Sequence, residues 1–130
     1  MLLLVLLLQN AMAQDPVYRQ ITGHEGLPSS EVYDVVQDKM GYLWFSTDQG
    51  LARYDGYRFM IFDESAGLPE NTVFDLEADA LGRIWMNTIN GQFAFVVDEK
   101  VTVYTYNYIL DSLLDDHPGN YRLYENYHVD

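Results

Sequence analysis

The stretch GLPSSEVYDVVQDKMGYLWFSTDQG, residues 26–50, returns 41 residues later as GLPENTVFDLEADALGRIWMNTING, residues 67–91. Ten of the 25 aligned positions are identical and no gap is needed. Gly26, Leu27, Pro28, Val32 and Asp34 recur as Gly67, Leu68, Pro69, Val73 and Asp75. Asp38, Gly41, Trp44, Thr47 and Gly50 recur as Asp79, Gly82, Trp85, Thr88 and Gly91. Conservative pairs fill in between them: Tyr33 with Phe74, Val35 with Leu76, Met40 with Leu81, Leu43 with Ile84. A repeat of this length is one supersecondary unit, which buries its apolar face by stacking on a neighbour.

Each unit reads as a four-stranded antiparallel meander. In the first, Val32 to Gln37 is rich in β-formers and stops at Asp38-Lys39-Met40-Gly41. Asp at the first place and Gly at the fourth mark a type I turn whose carboxylate bonds the turn's own amides. Tyr42 to Thr47 is the second strand, turned by Asp48-Gln49-Gly50. Leu51 to Tyr54 and Tyr57 to Phe62 flank Asp55-Gly56, a two-residue hairpin signal. In the second unit Asn90-Gly91 is a turn, and Asp98-Glu99 separates Phe93–Val97 from Lys100–Tyr106. No stretch in 17–106 has capped helical periodicity, so the fold class is all-β. A four-stranded unit of about 40–50 residues is the size of a β-propeller blade.

The expected organisation is blade 1 at 26–66 and blade 2 at 67–107. Residues 14–25 form a lone outer strand and loop, since Val17–Thr22 carries Tyr18-Arg19 as the fourth strand of blade 1 carries Tyr57-Arg58. That strand would close the ring of a larger propeller. Two blades fall short of the three or so repeats that bury a continuous core, so a longer parent protein is expected. The 108–130 tail is an insertion or the start of the next blade, with Ile109, Leu110, Leu113 and Leu114 at helix-like spacing. At the other end, Leu2 to Leu8 is unbroken aliphatic and precedes Ala11-Met12-Ala13, the layout of a signal peptide over 1–13. No Lys or Arg precedes that run, which a start codon placed too late, or missing first residues, would explain. A buried N-terminal helix or strand is the competing reading.

Composition narrows the function classes. The 20 Asp and Glu against 7 Lys and Arg give a net charge of −13, which repels phosphate backbones and excludes nucleic acid as a partner. The absence of cysteine removes disulfides, thiolate metal sites and cysteine nucleophiles. No phosphate-binding glycine loop is present, and no cofactor or metal is expected. His24-Glu25 lies in a Gly-flanked loop rather than on the long helix a phosphoacceptor histidine needs. Asp115-Asp116-His117 is a single triplet without a second cluster, too little for a metal site.

The string Gln37-Asp38 … Gly41-Tyr42-Leu43-Trp44 … Thr47 … Gly50-Leu51-Ala52-Arg53-Tyr54-Asp55 resembles the two-component regulator propeller repeat. The second unit keeps Asp79, Gly82, Ile84-Trp85, Thr88 and Gly91, then departs at Gln92-Phe93-Ala94-Phe95. The resemblance implies the N-terminal periplasmic sensor region of a bacterial sensor histidine kinase or hybrid two-component system. Its parent would add further blades and a membrane-anchored kinase, a module absent from these residues, so this chain itself is expected to be no enzyme. Homodimerisation is compatible with that layout. The competing functions are an exported propeller enzyme, such as a lyase or glycan hydrolase, and a secreted binding scaffold.

Asp38, Gly41, Trp44, Asp79, Gly82 and Trp85 read as structural: a turn carboxylate, a permissive glycine and a ring packed between blades. Catalytic residues are not expected. Strand alternation puts the Gly-Leu-Pro loops and the turns at 48–50 and 89–91 on one face of the ring, the Asp-x-x-Gly turns on the other. Glu25, Ser30, Asp48, Asn71 and Asn90 are the candidates by position for binding a small-molecule or glycan ligand at that rim.

Overall fold

The computed structural model describes residues 18–109 and 112. The signal-peptide expectation, Val17, the Asp115-Asp116-His117 triplet and most of the tail lie outside the described residues. Blade 1 is a sheet in the order β1 (Val32–Gln37), β2 (Leu43–Thr47), β3 (Gly50–Tyr54) and β4 (Phe59–Phe62). Blade 2 repeats it as β5 (Val73–Ala78), β6 (Ile84–Thr88), β7 (Phe93–Val97) and β8 (Lys100–Val103). Every neighbouring pair is antiparallel, and no strand pairs between the two sheets.

Alternation along the strands decides what each sheet buries. Trp44 sits opposite Arg53, Ser46 opposite Leu51, and Leu51 opposite Phe62, so these side chains share one face of blade 1. Blade 2 meets that face with Ile84, Met86, Ala94, Val96 and Val101, joined by Val73, Leu76 and Leu68 in a single core. Burying each of the larger of these side chains stabilises the pair by about 1.5–3 kcal/mol relative to exposure. Leu27, Phe45, Ala52 and Tyr54 form a second cluster on the other face of blade 1, with Ile21, Leu43, Phe59 and Ile61 packed against it.

The Asp-x-x-Gly turns do more than reverse the chain. Asp38 Oδ1 accepts the amides of Met40 at 2.9 Å and Tyr42 at 3.0 Å, and Oδ2 accepts the Trp44 indole at 2.8 Å. Asp79 does the same for Leu81 at 2.8 Å, Arg83 at 3.0 Å and the Trp85 indole at 2.9 Å. One carboxylate thus fixes the turn and the orientation of the ring that the blade packs with. Gly41 and Gly82 complete the turns at φ 87° and 81°, where a side chain is disfavoured.

The structure departs from the sequence reading at several places, each for a local reason. Asp55-Gly56 is not a two-residue hairpin: Tyr54 pairs with Phe59, and Asp55 Oδ1 accepts the amides of Tyr57 and Arg58, both at 2.8 Å. The side chain thereby builds a four-residue turn. The two-residue turn is Asp98-Glu99, between Val97 and Lys100, with both residues at positive φ, 49° and 61°. The repeat also gains one residue after its last shared glycine. Thr47 pairs with Gly50 in blade 1, but Thr88 closes on Gln92 in blade 2 through the Gln92 carbonyl at 3.0 Å. Phe93 therefore takes the place of Leu51, and Tyr104 that of Phe62. Gly50 itself is fixed by contact, since a Cβ there would stand 2.4 Å from the Phe62 carbonyl.

Short helical turns, unseen in the pattern, precede both Gly-Leu-Pro loops at Gly23–Glu25 and Glu64–Ala66. Thr22 and Asp63 cap them from equivalent positions. The last strand ends at Val103 rather than Tyr106, and 107–109 turn into helix. Residues 18–22 pair with no strand among the described residues.

Two consequences follow for stability. Replacing Asp38 by Ala removes the shared acceptor of two amides and an indole and should cost about 2 kcal/mol, within the range for hydrogen bonds to charged groups. Trp44→Phe should cost less in the hydrogen bond, and the double variant should be less than additive in urea unfolding. Partial burial works against ionisation of Asp79, but the Trp85 indole, the Arg83 amide and guanidinium and the Leu81 amide outweigh it. They hold its carboxyl well below the usual carboxylate range. Asp55, bonded by the Arg58 amide, and Asp63, bonded by the Ser65 hydroxyl, are also lowered. Such groups add stability that is complete above the unfolded Asp value of about 3.9 and is lost as pH falls toward the folded value. The urea midpoint should therefore drop between about pH 5 and about pH 3, less steeply in Asp79→Asn; a pH-independent midpoint would contradict this assignment.

Candidate functional site

The two rims of the blade pair differ in chemistry. At one, each Gly-Leu-Pro loop meets the turn between the second and third strands of its blade. In blade 2 the Ile89 amide donates to the Thr72 carbonyl at 3.0 Å, and Asn90 Nδ2 reaches the Pro69 carbonyl at 3.5 Å. A cleft of about 440 Å³ opens here, lined by Phe74, Asp75, Asn87, Thr88, Ile89, Asn90 and Gly91. Its walls are an aromatic ring, a carboxylate and two amide side chains. Asn87 Nδ2 donates to Asp75 Oδ2 at 2.9 Å, while Thr88 Oγ1 donates to Asn90 Oδ1 at 2.6 Å. Tyr33 of blade 1 packs on Phe74 with ring centroids 4.7 Å apart, which extends the aromatic wall along the two inner strands. Stacking surface beside polar groups suits a small hydroxyl-bearing ligand, and the acidic wall disfavours an anion.

Of the five residues singled out by position, Asn90 lines this cleft. The other four are placed elsewhere. Glu25 closes a capping box, its carboxylate accepting the Thr22 hydroxyl at 2.6 Å and the Thr22 amide at 2.8 Å. The Thr22 hydroxyl is the main reason its carboxyl is lowered. Asp48 is lowered chiefly by the Ser29 side chain, against the desolvation that raises it, and it also accepts Gln49 Nε2 at 3.3 Å. Asn71 Oδ1 accepts the Glu64 amide at 2.9 Å, which ties the helical turn to the loop. Ser30 is exposed beside that loop in blade 1. The side chains that complete the cleft, Phe74, Asp75 and Asn87, come from the inner two strands of blade 2. Asp34 recurring as Asp75 was their signal in the sequence, and it served there only to align the repeats.

The opposite rim is a joint. A second cleft of about 440 Å³ runs between the blades past Asp38, Tyr42, Trp44, Arg53 and Glu99. Arg53 crosses it to Glu99 at 2.7 Å and lies over the Tyr42 and Trp44 rings at 4.8 and 5.7 Å. Lys39 donates to the Ala80 carbonyl, linking the two Asp-x-x-Gly turns. Arg53, Glu99 and Lys39 each bond across from one blade to the other, so this rim holds the blades together. Among the described residues no group of three His, Asp or Glu is placed to hold a metal ion. No helix among them is long and apolar enough to cross a membrane.

Histidine kinase P4 of Formosa agariphila is 44% identical over 46 residues, 35% of this chain and 3% of that protein. A solved structure, the extracellular domain of a B. thetaiotaomicron protein assigned as a hybrid two component system, superposes with a TM-score of 0.59 at 27% identity. That match covers 68% of this chain and 13% of the other. The chain thus spans a small part of the length of both relatives. Residues 26–49, from the Gly-Leu-Pro loop of blade 1 through the clamped turn to β2, match the family described as two component regulator propeller. That match includes the clamped turn and Trp44, so residues 26–49 are similar to a two component regulator propeller repeat.

Proposed function

We propose that this chain is part of the extracytoplasmic sensing region of a two-component signal-transduction histidine kinase, exported to the periplasm as blades of a larger propeller. The observation that carries the reading is agreement of sequence and fold together: 27% identity at a TM-score of 0.59 with the extracellular domain of a hybrid two component system. The identity to a histidine kinase over 46 residues points the same way. In this reading the parent protein supplies the remaining blades and a kinase anchored in the inner membrane, and the segment before Thr22 closes the ring. The rim cleft of Phe74, Asp75, Asn87 and Asn90 receives a small molecule or glycan. Occupancy there would brace the loop rim of one blade against its neighbour. It would thereby bias how the propeller packs on the parts that lead to the kinase.

The reading is tested on the full-length gene product in inner-membrane vesicles. Labelled phosphate from ATP should appear on a histidine, and deletion of residues 26–107 should abolish any response of that labelling to growth-medium glycans. Alkaline phosphatase fused after residue 130 should be active in cells, as it is only when exported. A parent without a kinase module, or an inactive phosphatase fusion, would contradict it.

A further inference from the structure

The inner strands of the two blades carry the same irregularity at different places. In β1 the register steps from Val32 opposite Thr47 to Asp34 opposite Ser46, so Tyr33 is the extra residue of the bulge. In β5 it steps from Phe74 opposite Asn87 to Glu77 opposite Trp85, so Asp75 and Leu76 together stand against Met86. Each inner strand therefore has one residue more than its partner, and on either side of the bulge the registers correspond. Val73 faces Thr88 as Val32 faces Thr47, and Ala78 faces Ile84 as Gln37 faces Leu43. The bulge has moved along the strand while both of its flanks stay in place.

The move changes two positions of the repeat. Asp75 is held at φ 47°, a conformation uncommon outside glycine, whereas its counterpart Asp34 is not in that region. Leu76 is 7% exposed and belongs to the core between the blades, whereas its counterpart Val35 is 47% exposed.

The contacts that hold β5 in its own register come from blade 1. Asp34 Oδ2 accepts the Leu76 amide at 2.8 Å, a donor that the bulge takes out of the ladder with β6. Asp34 Oδ1 accepts the Val35 amide at 2.8 Å, which fixes the carboxylate to its own strand. The Leu76 side chain shares its core with Trp44, Leu51 and Phe62 of blade 1. The left-handed backbone of Asp75 opposes these contacts. In the register of β1, Asp75 would face Asn87, Leu76 would face Met86, and Asp75 would return to extended backbone. A cavity of about 280 Å³, lined in part by Asp34, Asp75, Leu76 and Met86, lies at the bulge and leaves room for that change.

The rim cleft depends on which register β5 takes. With the bulge at Asp75-Leu76, Asn87 faces Phe74 and donates to Asp75 Oδ2 at 2.9 Å, and all three side chains line the cleft. With the bulge at Phe74, that residue would leave the ladder and Asn87 would face Asp75 instead.

We propose that β5 is a two-register element set across the joint. Asp34 holds the bulge at Asp75-Leu76, which builds the rim cleft, and loss of that contact moves the bulge to Phe74, which dismantles it. The two copies of the repeat display the two registers side by side, in β1 and in β5. Blade 1 thereby regulates the cleft of blade 2, and a ligand that needs the cleft favours the joined blades in return. The inference rests on the reading of the rim cleft as a ligand site and adds what controls that site.

Nuclear magnetic resonance on the full chain reads the register directly. In the native chain, cross-strand nuclear Overhauser effects should join Phe74 to Asn87, and Asp75 should show the strong amide-to-Hα effect of a positive φ. Asp34→Ala should replace both with contacts from Asp75 to Asn87 and from Leu76 to Met86. Asp34→Asn, which keeps an acceptor oxygen, should retain the native pattern. Asp75→Val places a β-branched residue where φ is positive, and should move the bulge with Asp34 intact. It reads the same shift even where Asp34→Ala weakens the chain. Adding Asp75→Gly to Asp34→Ala should bring the native register back, because glycine tolerates that backbone. A native register in Asp34→Ala or in Asp75→Val would overturn the proposal, since blade 2 alone would then fix the bulge. No ligand, export or phosphotransfer enters the assay, so its failure leaves the sensor assignment standing, and failure of that assignment leaves the register shift measurable.

Discussion

A carboxylate that holds a β-turn and a tryptophan indole at once is the constraint on which both blades depend. Asp38 and Asp79 each take two turn amides and one indole N–H. The turn would form with many sequences, but the ring orientation would not. With the indole tied, Trp44 lies flat enough to stack on Phe62 at 5.7 Å and to receive Ile84, Met86 and Val96 from the next sheet. Burial of those side chains then provides most of the stabilisation, because dispersion and the hydrophobic effect reward the close fit. The polar bonds across the joint, from Asp34 to Leu76 and from Arg53 to Glu99, set which way the sheets face and how far apart they sit.

Much of this was legible in the sequence because the repeat makes the chain its own comparison. The first strand of each unit, the clamped turns and the packing role of Trp44 follow from residue types at fixed spacing. What escaped lies where a side chain overrides the local pattern. Asp55-Gly56 has the composition of a two-residue hairpin, yet the Asp55 carboxylate captures two amides and widens the turn. Asp98-Glu99 forms the tight turn despite lacking glycine, with Glu99 drawn to Arg53 of the other blade. The helical turns before each Gly-Leu-Pro are three residues long, too short to leave a period.

The candidate site was less legible than the fold, and for a related reason. Position on the rim suggested polar loop residues, but three of the five are engaged in holding the loops, since Glu25 and Asn71 tie down the helical turns and Asp48 is bonded by its neighbours, while Ser30 stands exposed apart from the cleft. The cleft is made instead by strand residues at a bulge, Asp75 with Asn87 and Phe74. A bulge is invisible to alternation, since it appears only where the ladder is broken. The same bulge exposes the Leu76 amide to Asp34, so the feature that shapes the cleft also joins the blades. The rim cleft and the packing between the blades therefore share one structural feature, the bulge of β5.

Two tied tryptophans define the blades, and one of them, Trp44, is sealed between the sheets. Hydrogen exchange at the two indole N–H groups, followed by nuclear magnetic resonance on the intact chain, tests it directly. Both indoles should exchange more slowly than a free indole, with Trp44 the slower because blade 2 covers it. Equal exchange at the rate of a solvated indole for both would contradict the clamp and the sandwich together.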